Sequence, residues 1–100
     1  MKRVFSPKEI DLFNNKSDPF PTMAGNWAAK EAFSKALGTG VHGFSLCEVA
    51  ILRNELGAPY IELSGKALSI AQNAGLEFSV SITHTKHLAQ AAVIAFKKGE

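Results

Sequence analysis

The feature that most constrains the fold of this 100-residue chain is a long run of good helix formers that ends at a glycine. Residues 23–37 are rich in alanine and contain no β-branched residue, so propensity predicts a helix of about four turns. Thr22 can cap its start, and Gly38 can end it because glycine adopts the left-handed conformation at a helix C-terminus. Helical spacing predicts an apolar stripe of Ala29, Phe33, Ala36 and Leu37, with Trp27, Glu31, Ser34 and Lys35 on the other side.

The rest of the chain predicts two shorter helices and four strands. Ser6, the proline after it and Glu9 have the spacing of a capping box, which predicts a helix through about Phe13. A third helix is predicted over 65–74, capped by Ser64 and ended by Gly75. Strands are predicted over 44–53, 60–63, 77–83 and 88–96, with the turn NELGAP between the first two.

Alternation along the strands indicates which residues face the core. Val49 and Ile51 are expected to point inward, as are Phe78, Val80 and Ile82, whereas the apolar run AAVIAF predicts burial on both faces of the last strand. These elements predict one α+β domain over residues 1–100, with helices packed on a small antiparallel sheet.

The composition limits the classes of partner. Eleven Lys and Arg against nine Asp and Glu leave a formal charge of +2, too small for the phosphate-backbone affinity of a nucleic-acid binder. No apolar run approaches the ~20 residues that span a bilayer, and no signal-peptide pattern is present. The single cysteine, Cys47, excludes an internal disulfide, and no cysteine and histidine cluster has zinc-ligand spacing. We expect a cytoplasmic protein with no nucleic-acid or membrane partner.

Two polar clusters are candidates for chemistry. Glu31 and Lys35 lie one helical turn apart; such a pair is usually a solvated ion pair, but it also suits a divalent cation and a phosphate. His84 lies in SITHTK, where hydroxyls and an amine can donate to an anion, although a lone histidine is more often a polar strand-end residue. The glycines at 38, 40 and 43 are too irregular for a phosphate-loop signature.

Four stretches together resemble one known family. WAAKEAFSKALGTG at 27–40, VFSPKEI at 4–10, NELGAPYIELSGKA at 54–67 and SVSITHTK at 79–86 are similar, in order and spacing, to the holo-acyl-carrier-protein synthases, the small 4′-phosphopantetheinyl transferases. The resemblance covers nearly the whole chain and implies that family's fold. It also implies Mg²⁺-dependent transfer of 4′-phosphopantetheine from coenzyme A to a serine of apo acyl carrier protein, with release of adenosine 3′,5′-bisphosphate.

The resemblance also implies catalytic roles for three residues. Glu31 matches the family's metal-ligand glutamate, which would hold Mg²⁺ against the diphosphate of coenzyme A. Lys35 matches the lysine that meets the phosphates near the reacting centre. His84 falls in the strand-end motif that contacts the diphosphate or the 3′-phosphate.

Coenzyme A would have further ligands beside Lys35 and His84. Gly38 falls where the backbone approaches coenzyme A closely, Pro59 on the turn that borders the nucleotide, and Thr85 next to His84. The family is typically a homotrimer with active sites between subunits, and its acidic carrier protein is gripped by basic residues on an early helix. The candidates for that contact here are Lys2, Arg3 and Lys8.

Two departures from the family pattern leave an alternative open. The family begins with a strand bearing a glycine-isoleucine-aspartate motif, whose aspartate is the second metal ligand, and this chain starts after it, so the resemblance implies an N-terminally truncated domain. Asn26 stands where an arginine is common. The alternative is therefore a non-catalytic fragment of the same fold that binds coenzyme A or an acyl carrier protein.

Overall fold

Three helices and two antiparallel hairpins form the part of the chain that the structure, a computed structural model, describes: residues 4–38, 43–85 and 87–99. The helices are α1 (Pro7–Asn14), α2 (Phe20–Leu37) and α3 (Gly65–Ala74). The strands are β1 (Val49–Arg53), β2 (Pro59–Leu63), β3 (Leu76–His84) and β4 (Ala89–Lys97), with β1 paired to β2 and β3 paired to β4. The α+β class is confirmed. Within these residues no helix is long and apolar enough to cross a membrane.

Helix α1 starts as its capping box predicts. The Ser6 hydroxyl accepts from the Glu9 backbone N–H at 3.2 Å, and Glu9 Oε1 accepts from the Ser6 N–H at 3.0 Å. The proline that follows Ser6 occupies the first helical turn, where its missing N–H is not needed. Local sequence therefore determines this helix start.

Helix α2 begins earlier than predicted. Thr22 lies inside it and is not its cap; Pro19 occupies the N-cap position, and Asp18 Oδ1 accepts from the Phe20 N–H at 3.2 Å. Proline at position 21 is tolerated because the first-turn N–H groups have no partner within the helix. The predicted end is confirmed, since Gly38 is left-handed with φ 84° and donates its N–H to the last turn.

The buried face of α2 differs in part from the predicted stripe. Ala29 and Phe33 are fully buried, as expected, but Ser34, predicted on the polar side, is only 5% exposed. Its hydroxyl donates to the Lys30 carbonyl at 3.1 Å, so its polar group is satisfied without water. Fully or nearly buried residues of α2 are Gly25, Asn26, Ala29, Lys30, Phe33 and Ser34.

The first hairpin is shorter than predicted. Residues 46–48 form a 3-10 turn instead of strand, because the Ser45 and Glu48 side chains close a capping box there. Val49 and Ile51 are fully buried, as predicted, and pair with Leu63 and Ile61 across the hairpin. With them the core contains Ala29, Phe33, Phe44 and Ala67.

The second hairpin has one buried face and one exposed face. Phe78, Val80 and Ile82 pack against the core, as the alternation predicts. The prediction that β4 is buried on both faces is wrong: Ala91 and Val93 pack inward, but Ile94 is 63% exposed. The apolar run misled because, among the described residues, helix α2 covers only one side of β4.

A glutamate, and not the predicted serine, caps helix α3. Ser64 precedes the helix but makes no side-chain cap bond. Instead Glu48, eighteen residues before Lys66, accepts from the Lys66 N–H at 3.2 Å and the Ala67 N–H at 3.4 Å. Gly65 is needed there, since a Cβ on it would collide with the Glu48 carboxylate. Capping from a distant segment is invisible to local sequence patterns.

This arrangement predicts unequal costs for two substitutions at the start of α3. Glu48→Ala should lower the free energy of unfolding in urea by about 1–2 kcal/mol, as for loss of a cap, whereas Ser64→Ala should change it by less than about 0.5 kcal/mol. An equal or larger loss for Ser64→Ala would contradict the assignment.

The Glu48 contribution should also depend on pH. Hydrogen bonds from the Ser45 N–H first, and from the N–H groups of Lys66 and Ala67, hold the pKa of Glu48 below its ordinary value of 4.5. A carboxyl whose pKa is lowered by folding stabilises the protein above its ordinary pKa and loses that effect as pH falls through the lowered one. The difference between wild type and Glu48→Ala should therefore shrink on acidification below about pH 4.5.

Candidate functional site

Glu31 and Lys35 lie together on the exposed side of α2, one turn apart. They line a depression of about 420 Å³ between the helix and β4, whose other walls are Ala28, Ala32, Gln90 and Ala91. Within the described residues the two side chains form no ion pair with each other. A carboxylate and an amine are thus presented side by side at the mouth of a shallow cavity.

His84 and Thr85 lie at the end of β3, in a second depression of about 360 Å³ beside the first turn of α2. His84 Nε2 lies 2.8 Å from the Pro21 carbonyl oxygen. The N–H and hydroxyl of Thr85 both donate to the Leu88 carbonyl, at 2.8 and 3.3 Å, and so close the turn into β4. A hydrogen bond between its ring and the Pro21 carbonyl therefore connects His84 at the end of β3 to the first turn of α2.

The two depressions are neighbours. Ala24 lines the second and Ala28, one helical turn later, lines the first; likewise Ala89 and Gln90 are consecutive on β4. From Ala24 to Glu31 the helix advances about 10 Å. The structure thus arranges the four predicted residues of these two motifs along one side of α2.

The other two predicted residues lie differently. Gly38 is exposed at the C-terminus of α2, where its N–H donates to the Lys35 carbonyl at 3.1 Å, and it does not line the first depression. Pro59 lies opposite Arg53 at the start of β2, and it lines neither the depression beside Glu31 nor the one beside His84.

In the first depression the described residues offer a metal ion a single carboxylate, that of Glu31. No group of three or more His, Cys, Asp or Glu side chains in the described part of the chain is close enough to hold a metal together. Glu31, exposed beside an amine, suits a Mg²⁺ that keeps several waters and shares phosphate oxygens, because Mg²⁺ is commonly bound through one or two carboxylates plus substrate phosphates.

A buried ion pair that was not predicted from the sequence lies on the buried face of α2. Lys30, adjacent to Glu31, is fully buried and donates to Glu9 Oε1 at 2.7 Å. The same ammonium donates to the carbonyls of Leu46 and Val49, at 2.8 and 2.6 Å. All three protons of the amine are thereby used, and α1, α2 and the segment entering β1 are joined at one atom.

Asn26 and Arg53 extend this network. The Asn26 amide donates to Glu9 Oε2 and to the Ile51 carbonyl, each at 2.9 Å, and its oxygen accepts from Arg53 Nη2 at 2.9 Å. Asn26 stands where an arginine is common in the family. Because Asn26 is fully buried, this difference changes the packing inside the protein. No buried side-chain nitrogen or oxygen in the described residues is left without a partner.

Burial has an electrostatic cost at Lys30. Removal from water lowers the pKa of Lys30 from its ordinary 10.5, and the hydrogen bond and charge of Glu9 oppose that shift. Burial likewise lowers the pKa of Arg53. Residue spacing could have indicated that these polar side chains are buried. Asn26, Lys30 and Ser34 recur every four residues and so lie on one face of α2. The buried Ala29 and Phe33 lie on the same face.

Comparisons with known proteins agree with this architecture. A family model described as the 4′-phosphopantetheinyl transferase superfamily matches residues 1–95. A holo-[acyl-carrier-protein] synthase of Caldanaerobacter subterraneus subsp. tengcongensis is 43% identical over 96 residues, covering 95% of this chain and 76% of that protein.

Solved structures give the same result. The crystal structure of holo-[acyl-carrier-protein] synthase from Neisseria meningitidis matches with a TM-score of 0.88 at 31% identity, covering 95% of this chain and 78% of that one. The Helicobacter pylori holo-[acyl-carrier-protein] synthase in complex with coenzyme A matches with a TM-score of 0.78 at 34% identity, covering 94% and 78%. The chain therefore belongs to the 4′-phosphopantetheinyl transferase superfamily of enzymes and, within it, to the holo-[acyl-carrier-protein] synthases.

Replacing Lys30 and replacing Lys35, both on α2, should have very different effects on stability. Lys30→Met leaves the buried Glu9 carboxylate without its cation and should lower the free energy of unfolding by about 3–5 kcal/mol. Lys35→Met, at an exposed position, should change it by less than about 0.5 kcal/mol. Urea denaturation of both variants measures the difference, and comparable losses would contradict the structural role of Lys30.

Proposed function

We propose that this chain is a Mg²⁺-dependent holo-acyl-carrier-protein synthase built as one domain. It transfers 4′-phosphopantetheine from coenzyme A to a serine hydroxyl of apo acyl carrier protein and releases adenosine 3′,5′-bisphosphate. The observation that carries the proposal is the pairing of Glu31 and Lys35 at the mouth of the depression between α2 and β4. Family membership narrows the chemistry to phosphopantetheinyl transfer.

Glu31 and Lys35 would hold the diphosphate of coenzyme A from two sides. The Glu31 carboxylate is the protein ligand for Mg²⁺, which, when bound, neutralises charge on the diphosphate. The Lys35 ammonium donates to a phosphate oxygen and stabilises the charge that moves onto the leaving group. Their fixed spacing on one helix means that neither group has to reorganise as the reaction proceeds.

The remaining predicted residues would complete the coenzyme A site. His84 and Thr85 contact the substrate in the neighbouring depression, and Gly38 allows close backbone approach beside Lys35. Pro59 borders the nucleotide in a different way: in a homotrimer with sites between subunits, the β1–β2 hairpin of one copy reaches the α2 depression of the next.

The acidic acyl carrier protein would dock near the start of the chain. Of its three candidate contacts, Lys2 and Arg3 lie outside the described residues. Lys8 is exposed on α1 and donates to Glu62 at 2.8 Å, so part of its charge is already neutralised by β2. We place the reaction in the cytoplasm, with no nucleic-acid or membrane partner.

A second function is favoured by one specific observation. Only Glu31 supplies a carboxylate to the first depression, and the described residues contain no three-ligand cluster. A single carboxylate is also what we expect of a chain that binds coenzyme A or acyl carrier protein but does not catalyse the transfer.

One reaction separates the two functions. The chain is incubated with coenzyme A, Mg²⁺ and apo acyl carrier protein, and the carrier is examined by mass spectrometry. The proposal predicts addition of the phosphopantetheine arm to the carrier serine. Coenzyme A binding measured by calorimetry without any mass shift would instead establish the non-catalytic function.

Glu31→Gln should abolish Mg²⁺-dependent transfer, with a loss of roughly a hundredfold or more, because the metal contributes several kcal/mol of charge stabilisation. Glu77→Gln, which removes an equal charge from an exposed position near the start of β3, is the matched control and should retain wild-type kcat. Rates are measured at several Mg²⁺ concentrations. A Glu31→Gln variant with wild-type Mg²⁺ dependence would overturn the metal assignment.

A further inference from the structure

A third depression, of about 540 Å³, lies between α3 and the strands β2 and β3. It is larger than the two depressions beside α2 and shares no described residue with either of them. We call it the α3 groove. Its volume is in the range of pockets that hold small organic molecules. The proposed transfer reaction gives this groove no role.

The walls of the α3 groove are apolar. Packing within the described chain leaves them partly open, since Leu68 is 37% exposed and Leu76 and Phe78 are only half-buried. Covering such surface with another apolar group is favourable, because it removes hydrocarbon from water. The walls therefore favour a ligand with a hydrocarbon part. Six side chains form them: Ile61, Leu63, Leu68, Ala71, Leu76 and Phe78.

One end of the groove carries a positive charge. Lys98 lines the groove, and its backbone N–H donates to the Gly75 carbonyl at 2.8 Å, which holds Lys98 beside the C-terminus of α3. The Lys98 side chain is exposed and forms no ion pair with any other described residue. Gln72, one turn before the end of α3, also lines the groove and adds an amide that can donate.

The carboxylate that borders the groove does not cancel this charge. Alternation along β3 makes Leu76 and Phe78 half-buried and leaves Glu77 on the exposed face of the strand. Phosphate groups are usually held by an arginine fork or by several backbone N–H groups, and no arginine is among the described residues of the groove. A lone ammonium beside hydrocarbon walls suits a ligand with one negative charge, such as a carboxylate.

The length of the groove limits the length of the chain that it can hold. From Leu68 to Gly75 the helix advances about 10 Å, which an extended chain of roughly eight to ten carbons spans. The charged end at Lys98 and the apolar end at Leu68 fix the direction of such a chain.

We propose that the α3 groove binds a straight-chain aliphatic carboxylate of roughly eight to ten carbons. Its chain lies against Leu68 and Phe78, and its carboxylate accepts from the Lys98 ammonium. Because the groove is separate from the depression that contains Glu31 and Lys35, this ligand and coenzyme A bind at the same time. The site does not rest on the proposed function, so it is tested whether or not the chain transfers phosphopantetheine.

A series of ligands tests the chemistry of the site. Hexanoate, octanoate and decanoate are titrated into the wild type by calorimetry, below the concentrations at which they form micelles. Each added methylene should tighten binding by about threefold to fourfold, as for burial of one CH₂ group. Octylammonium, with the same chain and the opposite charge, should bind more weakly than octanoate. Equal affinities across the series, or octylammonium that binds as tightly as octanoate, would overturn the proposal.

Two pairs of variants locate the site. Lys98→Gln should weaken octanoate binding by about threefold or more, whereas Lys97→Gln, at the adjacent exposed lysine outside the groove, should leave it unchanged. Leu68→Gln should weaken binding by about fivefold or more, and Ile10→Gln, at an exposed apolar residue of α1, is its control. Equal effects of the two lysine variants, or unchanged affinity in folded Leu68→Gln, would contradict the assignment.

Backbone amide shifts locate the ligand without any substitution. In ¹⁵N-labelled wild type, octanoate should shift the amides of Leu68, Ala71 and Gly75 and leave those of Glu31 and Lys35 in place. Saturation with coenzyme A should not change the affinity for octanoate. Shifts confined to α2, competition with coenzyme A, or the absence of both heat and shifts with decanoate would each overturn the proposal.

Discussion

The ion pair between Lys30 and Glu9 is the interaction on which the rest of the structure depends. It removes two full charges from water, at 0% exposure for both side chains, and it connects elements that are 21 residues apart in sequence. A buried pair of this kind adds little net stability compared with apolar packing, but losing one partner is costly. Its contribution is geometric: the carbonyls of Leu46 and Val49 bind the same ammonium, so α2 has one position relative to α1 and β1.

That geometry links the core to the candidate site. Successive residues on α2 differ by about 100° in direction, so fixing Lys30 inward turns Glu31 outward. Lys35, one turn beyond Glu31, then faces β4 across the same depression. A fully buried cation and an exposed one on the same helix therefore have separate purposes, of which the first is structural and the second is available for an anionic ligand.

Features set by neighbouring residues were predictable from sequence, and features set by distant contacts were not. The capping box at Ser6, the helix end at Gly38 and the inward alternation of β3 are local, and the structure contains all three. The burial of Lys30 and the capping of α3 by Glu48 depend on partners sixteen or more residues away. In the site, the exposure of Glu31 and Lys35 followed from helical spacing, whereas the attachment of His84 to α2 required the folded chain.

The most direct test of this account is a crystal structure of the chain with coenzyme A and Mg²⁺. The account predicts a Glu31 carboxylate oxygen about 2.1 Å from the metal and Lys35 Nζ about 3 Å from a diphosphate oxygen, with Lys30 still bonded to Glu9. A diphosphate bound elsewhere, with Glu31 and Lys35 in bulk water, or a Lys30 that has left Glu9 to bind the phosphates, would contradict it.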